Sequence, residues 1–161
     1  AYLFLPQVGS ILTSYGFWVG CHPPRLNTLQ YRISQHQRLS ELRIKLLRLH
    51  KLLLDTERFT YEQVRGQVSR GELLQLVISH EQFAWLHRLS ALIIQIDELL
   101  HVDESVTPEA IEAIDSDIRT LLSPDESGDE FAMKYNTALQ RHPDVVLAHA
   151  GVMMLLTSDS I

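Results

Sequence analysis

The sequence is poor in the groups that most often announce a chemistry. Its single cysteine, Cys21, excludes an internal disulfide and any zinc or iron–sulfur site built from several thiolates. Nothing in it calls for an oxidising compartment, so a cytoplasmic location is the expectation. There is no G-x-G-x-x-G, no P-loop and no G-x-S-x-G elbow, which removes the commonest nucleotide sites and the usual setting of a nucleophilic serine. Cys21 has His22 beside it, but neighbours in sequence do not face each other on a helix and make no dyad. Runs of alternating apolar and polar residues are missing, as are the Asn-Gly and Asp-Gly pairs that turn a hairpin, so strands are not expected.

Acidic residues are scarce in the first half and basic ones in the second. Residues 1–70 hold ten Lys/Arg against four Asp/Glu, a net of +6, and residues 71–161 hold four against sixteen, a net of -12. Such halves attract each other, and the simplest use of the asymmetry is internal. The acidic half would also oppose approach to phosphates, so nucleic acid is not an expected partner. Residues 32–51 form a basic amphipathic stretch in which Arg32, Arg38, Arg43, Lys45, Arg48 and Lys51 are opposed only by Glu41. A helix of that kind can lie on an anionic membrane or fill a partner's groove. With acidic helices further along the same chain, an intramolecular role is the expectation.

The first 24 residues carry no Asp, Glu, Lys or Arg. Pro6, Gly9, Gly16, Gly20 and scattered Gln, Ser and Thr argue against a transmembrane helix, although Tyr15, Phe17 and Trp18 near one end would suit one. A signal peptide fits poorly without a basic start or a clear small-residue cleavage site. Residues 1–27 therefore read as an uncharged apolar extension, disordered or loosely packed, with membrane association as the alternative. Residues 28–161 read as a single helical domain. An opening at Ala1 and not at Met is compatible with a fragment, a processed form or a reading frame extended upstream.

From about residue 28 the apolar period becomes helical. Leu39, Leu42, Leu46, Leu49 and Leu53 recur at spacings of three and four, predicting a first helix that runs to Arg65 and stops at Gly66. Ser69 with Glu72 spells a capping box, and Ser79 with Gln82 spells another. Thr107-Pro108 and Ser123-Pro124 read as helix starts, with Ser127 three residues before Glu130, and a last helix begins at Pro143. The expected fold is all-α: an antiparallel helical bundle of about four main helices plus short connecting ones.

Eight histidines make a metal site worth testing. "HEQFAWLH", residues 80 to 87, opens like the zinc motif H-E-x-x-H but has Ala84 where the second histidine belongs. On a continuous helix from His80, Trp85, Leu86, Leu89, Leu92, Ile93, Ile96, Leu99 and Leu100 share one arc, while His80, His87 and Glu98 fall on the opposite side and project outward. Glu98 and His101 have the Glu-x-x-His spacing of di-iron bundles, but no second such pair occurs. The better candidates are His50 and Glu57, which share the stripe of Leu39, Leu46, Leu53 and Val64, with Tyr61 one turn on. His149 shares a face with Val145, Val152 and Leu156 in the last helix. Buried, these groups would need partners. They would be a polar network or the transition-metal ligands of a ferritin-like or hemerythrin-like bundle; the plainer reading places them at the tapering edge of the stripe, bonded to ordinary neighbours.

"FAWLHRLSALIIQIDELL" together with "LQRHPDVVLAHAGV" resembles a small all-helical family of uncharacterised bacterial proteins, over roughly residues 39–156. The resemblance implies a compact helical domain and a bacterial source, and brings no activity, cofactor or site residue. The functional expectation is a non-enzymatic module, without cofactor, that binds a protein partner or itself. The alternative is the metal-binding bundle with His50, Glu57 and His149 as ligands.

Overall fold

The computed structural model describes residues 28–102, 106–123 and 128–157. The expectations for residues 1–27, for Pro124 and for Ser127 as a cap lie outside these. The first helix, α1, spans Thr28–Arg65 and extends roughly 57 Å at 1.5 Å per residue. Its leucine stripe is the reason it is buried at all: Leu39, Leu42, Leu46, Leu49 and Leu53 are each 0% exposed, worth roughly 1.5–3 kcal/mol apiece relative to exposure. The stripe ends there, because Val64 is 80% exposed. Gly66 takes φ +88°, a left-handed conformation that stops a helix where other residues would be strained. Glu62 ties the turn by accepting from the Val68 N–H at 3.0 Å and from Arg58 Nε at 2.9 Å. These bonds, that from Val68 first, hold its carboxyl below the ordinary range.

Helix α2, Arg70–Ser79, opens on the expected capping box. Glu72 N donates to Ser69 Oγ at 3.3 Å, and Ser69 N donates to Glu72 Oε2 at 2.7 Å. The second box is not made. Ser79 turns its hydroxyl back to Gln75 O, and His80 is the cap, its Nδ1 accepting from Gln82 N at 3.1 Å. The chain then enters a 3-10 turn, Glu81–Leu86, and only after it α3, His87–His101. A 3-10 turn advances 120° per residue instead of 100°, so the face of the stretch shifts. Phe83 joins Trp85 and Leu86 in the core, and His80 does not project outward but lies half-buried, edge-on to Tyr61 at 5.4 Å.

Helix α4, Pro108–Leu122, begins as expected, with Ala110 N donating to Thr107 Oγ1. Helix α5, Glu130–Arg141, takes its cap from Asp129, which accepts from Ala132 N; Ser123 closes α4. Helix α6 spans Pro143–Thr157. No strand occurs among the described residues, and the fold is an all-α bundle in which α1 packs against α3 and α6. Side chains set the directions. Arg43 meets Asp97 and His50 meets Ser90, while Arg38 meets Leu155 and Lys45 lies beside Gly151. As the number rises on α1 it falls on α3 and on α6, so both run antiparallel to α1.

The charge asymmetry is used inside the chain at two of these points. Arg38 Nη2 lies 2.6 Å from Asp115 Oδ2, the two side chains 10% and 5% exposed, and Arg43 pairs with Asp97. The first pair is fork-shaped, because Arg38 Nη1 also reaches Asp115 Oδ1. It locks α1 to α4 at a place where water cannot replace either partner. We predict that Asp115→Ala lowers unfolding free energy by about 3–5 kcal/mol in urea titrations, and that the apolar pair Arg38→Met with Asp115→Leu recovers most of the loss. A loss below about 1 kcal/mol for the single variant would mean that the pair behaves like a surface salt bridge.

Candidate functional site

The three residues expected as metal ligands have separate partners. His50 Nε2 and Ser90 Oγ are 2.9 Å apart, and the Ser90 hydroxyl also reaches Leu86 O at 3.2 Å. A hydroxyl has one proton to give; given to the carbonyl, it leaves Ser90 to accept from His50 Nε2–H. Glu57 Oε2 accepts from Trp85 Nε1 at 3.0 Å and faces Lys134 Nζ at 3.4 Å. His149 Nδ1 is 2.7 Å from the hydroxyl of Tyr135, a side chain with no exposure. Among the described residues no three His, Cys, Asp or Glu side chains gather as a metal would need, so His50, Glu57 and His149 do not form the expected ligand set. They lie half-buried at the edge of the core, hydrogen-bonded to neighbours.

The remaining histidines of this region serve the backbone. His87 Nε2 donates to Val77 O at 2.7 Å, a carbonyl in the last turn of α2 that would otherwise lack a donor, and His101 Nδ1 donates to Asp97 O at 2.6 Å. The exposed Glu98 and His101 are therefore one glutamate on a solvated face and one capping imidazole.

Three residues that the sequence did not single out complete the polar sites. Lys134 on α5 contacts Glu57, Glu130 Oε1 and Gln82 O at 3.4, 3.3 and 3.2 Å, and its ammonium stands 5.7 Å from the centre of the Trp85 ring. Trp85 begins a row of rings through Phe131 and Tyr135 to His149, with centroids 5.4, 5.4 and 5.9 Å apart. Ser90 holds His50. A buried indole N–H needs an acceptor, which is the one signal that could have joined Trp85 to Glu57; nothing in the spacing points to Lys134. Thr56, Thr60, Thr137, Arg141 and His142 border the same place, a cleft of about 220 Å³.

The outer surface is unusual at α6. Of its fifteen residues only Asp144 is charged, and Leu147 and Met154 are 69% and 72% exposed. On α1, Ile44 is 62% exposed. Among the described residues no helix is long and apolar enough to cross a membrane. Comparison of the chain with protein-family models, curated proteins and solved structures finds no match.

Burial holds the imidazole of His50 below its ordinary range, with His87 adding repulsion, and burial alone does the same for His149. The unfolded chain therefore takes up these protons first as pH falls. The stability that depends on neutral His50 and His149 is whole above about pH 6.5 and is lost as pH drops from there through the lower folded-state values. We predict that the urea midpoint falls between about pH 7.5 and about pH 5.5, and that His50→Gln and His149→Gln each flatten the fall. Identical pH slopes in the variants and the parent chain would contradict this.

Proposed function

We propose that the chain is a non-enzymatic helical module that acts by association, with the outer face of α6 as its contact surface and a second copy of itself as the partner. The observation that carries this reading is the composition of α6. A helix apolar on all sides belongs in an interior, yet this one has a solvent face. Val145, Ala148, Val152 and Leu156 point into the bundle, and Val146, Leu147, Ala150 and Met154 point away from it. By contrast, α4 and α5 place most of their charged residues on their exposed faces, as surface helices ordinarily do.

An antiparallel two-fold pairing centred on Ala150 sets Val146 of one copy against Met154 of the other and brings opposite helix ends together. The small residue at the centre lets the axes approach. Pairing of two copies depends on concentration by mass action.

Sedimentation of the full chain from about 1 to about 200 μM tests the proposal. The mass is expected to rise from the monomer's 18.5 kDa toward twice that value. Leu147→Asp with Met154→Asp is expected to stay monomeric with unchanged helical circular dichroism. A parent chain that remains monomeric throughout the range, or a variant that associates equally well, would sink self-association through α6.

A further inference from the structure

The first turns of α1 extend past the ends of α3 and α6. Arg43 meets Asp97 and His50 meets Ser90, a register that sets His101, the last residue of α3, level with Leu39. On the other side Arg38 reaches Leu155, close to the end of α6 at Thr157. Residues 28–34 are accordingly exposed throughout. They nonetheless carry an apolar ridge, since Leu29 and Ile33 stand one turn apart on the same face. A helical stretch this short draws its stability from what packs against it.

That ridge is one wall of a groove of about 580 Å³. Leu99, Leu100 and Val102 at the end of α3, with Val106 beyond it, make the other wall. Among the described residues no Asp or Glu lines the groove, and its formal charge comes from Arg32 alone. Gln35, also in the lining, has its side-chain oxygen buried without a donor among the described residues. A buried acceptor in that state is costly, and an N–H or O–H brought by an occupant relieves it. The lining therefore suits an uncharged, largely apolar length of chain that carries donors.

We propose that residues 1–27 of this same chain fold back into the groove, with Tyr15, Phe17 and Trp18 as the side chains that enter it. The segment joins α1 at Thr28, next to the groove residue Leu29, so its effective concentration there is of millimolar order and a separate molecule competes poorly. Its first 24 residues have no Asp, Glu, Lys or Arg, so no side-chain charge has to be desolvated on entry. Pro23 and Pro24 bar a straight helical continuation of α1, and the chain is free to turn back. Trp18 lies ten positions before Thr28, a reach of up to roughly 33 Å. The wall from Thr28 to Gln37 is only about 14 Å long. Aromatic rings bury the most area per side chain, which makes this cluster the part of the segment that gains most from entering. A seated segment also closes the groove to other chains.

The test is acrylamide quenching of tryptophan emission in the full chain, which has two tryptophans, Trp18 and Trp85. Trp85 is buried in the core, so the readily quenched fraction reports Trp18. In the parent chain neither tryptophan is expected to be readily quenched, at about 1 μM and about 200 μM alike, because docking within one chain does not depend on concentration. Ile33→Asp and Val102→Asp, one on each wall, are each expected to release Trp18, so that one of the two tryptophans becomes accessible. Both positions are exposed, so the core stays packed, and unchanged circular dichroism verifies this. Leu147→Asp, on the outer face of α6, is expected to leave Trp18 shielded. A Trp18 quenched freely in the parent chain overturns the proposal, as does one shielded only at the higher concentration, which would place it on a second copy. So does a Trp18 that either groove variant leaves shielded, or that Leu147→Asp releases.

Discussion

Among the described residues, α3 and α6 take their positions from the five leucines of α1, and α4 and α5 pack in turn against those helices. Leu39, Leu42, Leu46, Leu49 and Leu53 are wholly buried because α3 and α6 close over them from two sides, and no shorter element presents a continuous stripe of comparable length. α1 is a spine whose middle is covered and whose ends extend past the cover. Where the stripe runs out, after Leu53, the side chains facing the bundle change from leucine to Glu57 and Tyr61, and the polar contacts of the core edge begin. The location of the half-buried groups is thus a consequence of where the leucines stop.

Charge then refines what apolar burial leaves loose. A leucine stripe accepts a neighbouring helix in more than one register, since one turn of sliding replaces a leucine contact with a similar one. The Arg38–Asp115 fork does not tolerate such sliding, because moving one turn would strand a buried carboxylate and a buried guanidinium. Arg43 with Asp97 performs the same function for α3, half exposed and correspondingly weaker. The basic first half and acidic second half of the chain therefore meet each other before either meets anything else, and the basic stretch of α1 is in part already neutralised.

Two surfaces among the described residues differ in kind. The outer face of α6 is apolar and nearly uncharged, a surface whose removal from water is favourable against another apolar helix. The cleft beside Lys134 is small and half polar, with Glu57 and Glu130 set against Lys134 and Arg141. The first suits a macromolecular contact, and the two draw on different residues.

The sequence alone settled the all-α class, the limits of α1, the capping box at Ser69 and Glu72, and the starts at Thr107-Pro108 and Pro143. These depend on local rules: apolar period, caps, and the left-handed preference of glycine at Gly66. It also carried the charge division that Arg38–Asp115 and Arg43–Asp97 exploit, without saying which partners meet. Only the tertiary structure decided the rest. A 3-10 turn at Glu81–Leu86 shifted the helical phase, so that Phe83 entered the core and His80 became a cap. Asp129, not Ser123, capped α5. The expected ligands His50, Glu57 and His149 were drawn to Ser90, to Trp85 and Lys134, and to Tyr135. Partners 40, 28, 77 and 14 residues away in sequence arise from how helices pack, and helical periodicity reports which face a residue occupies but never which residue waits opposite it.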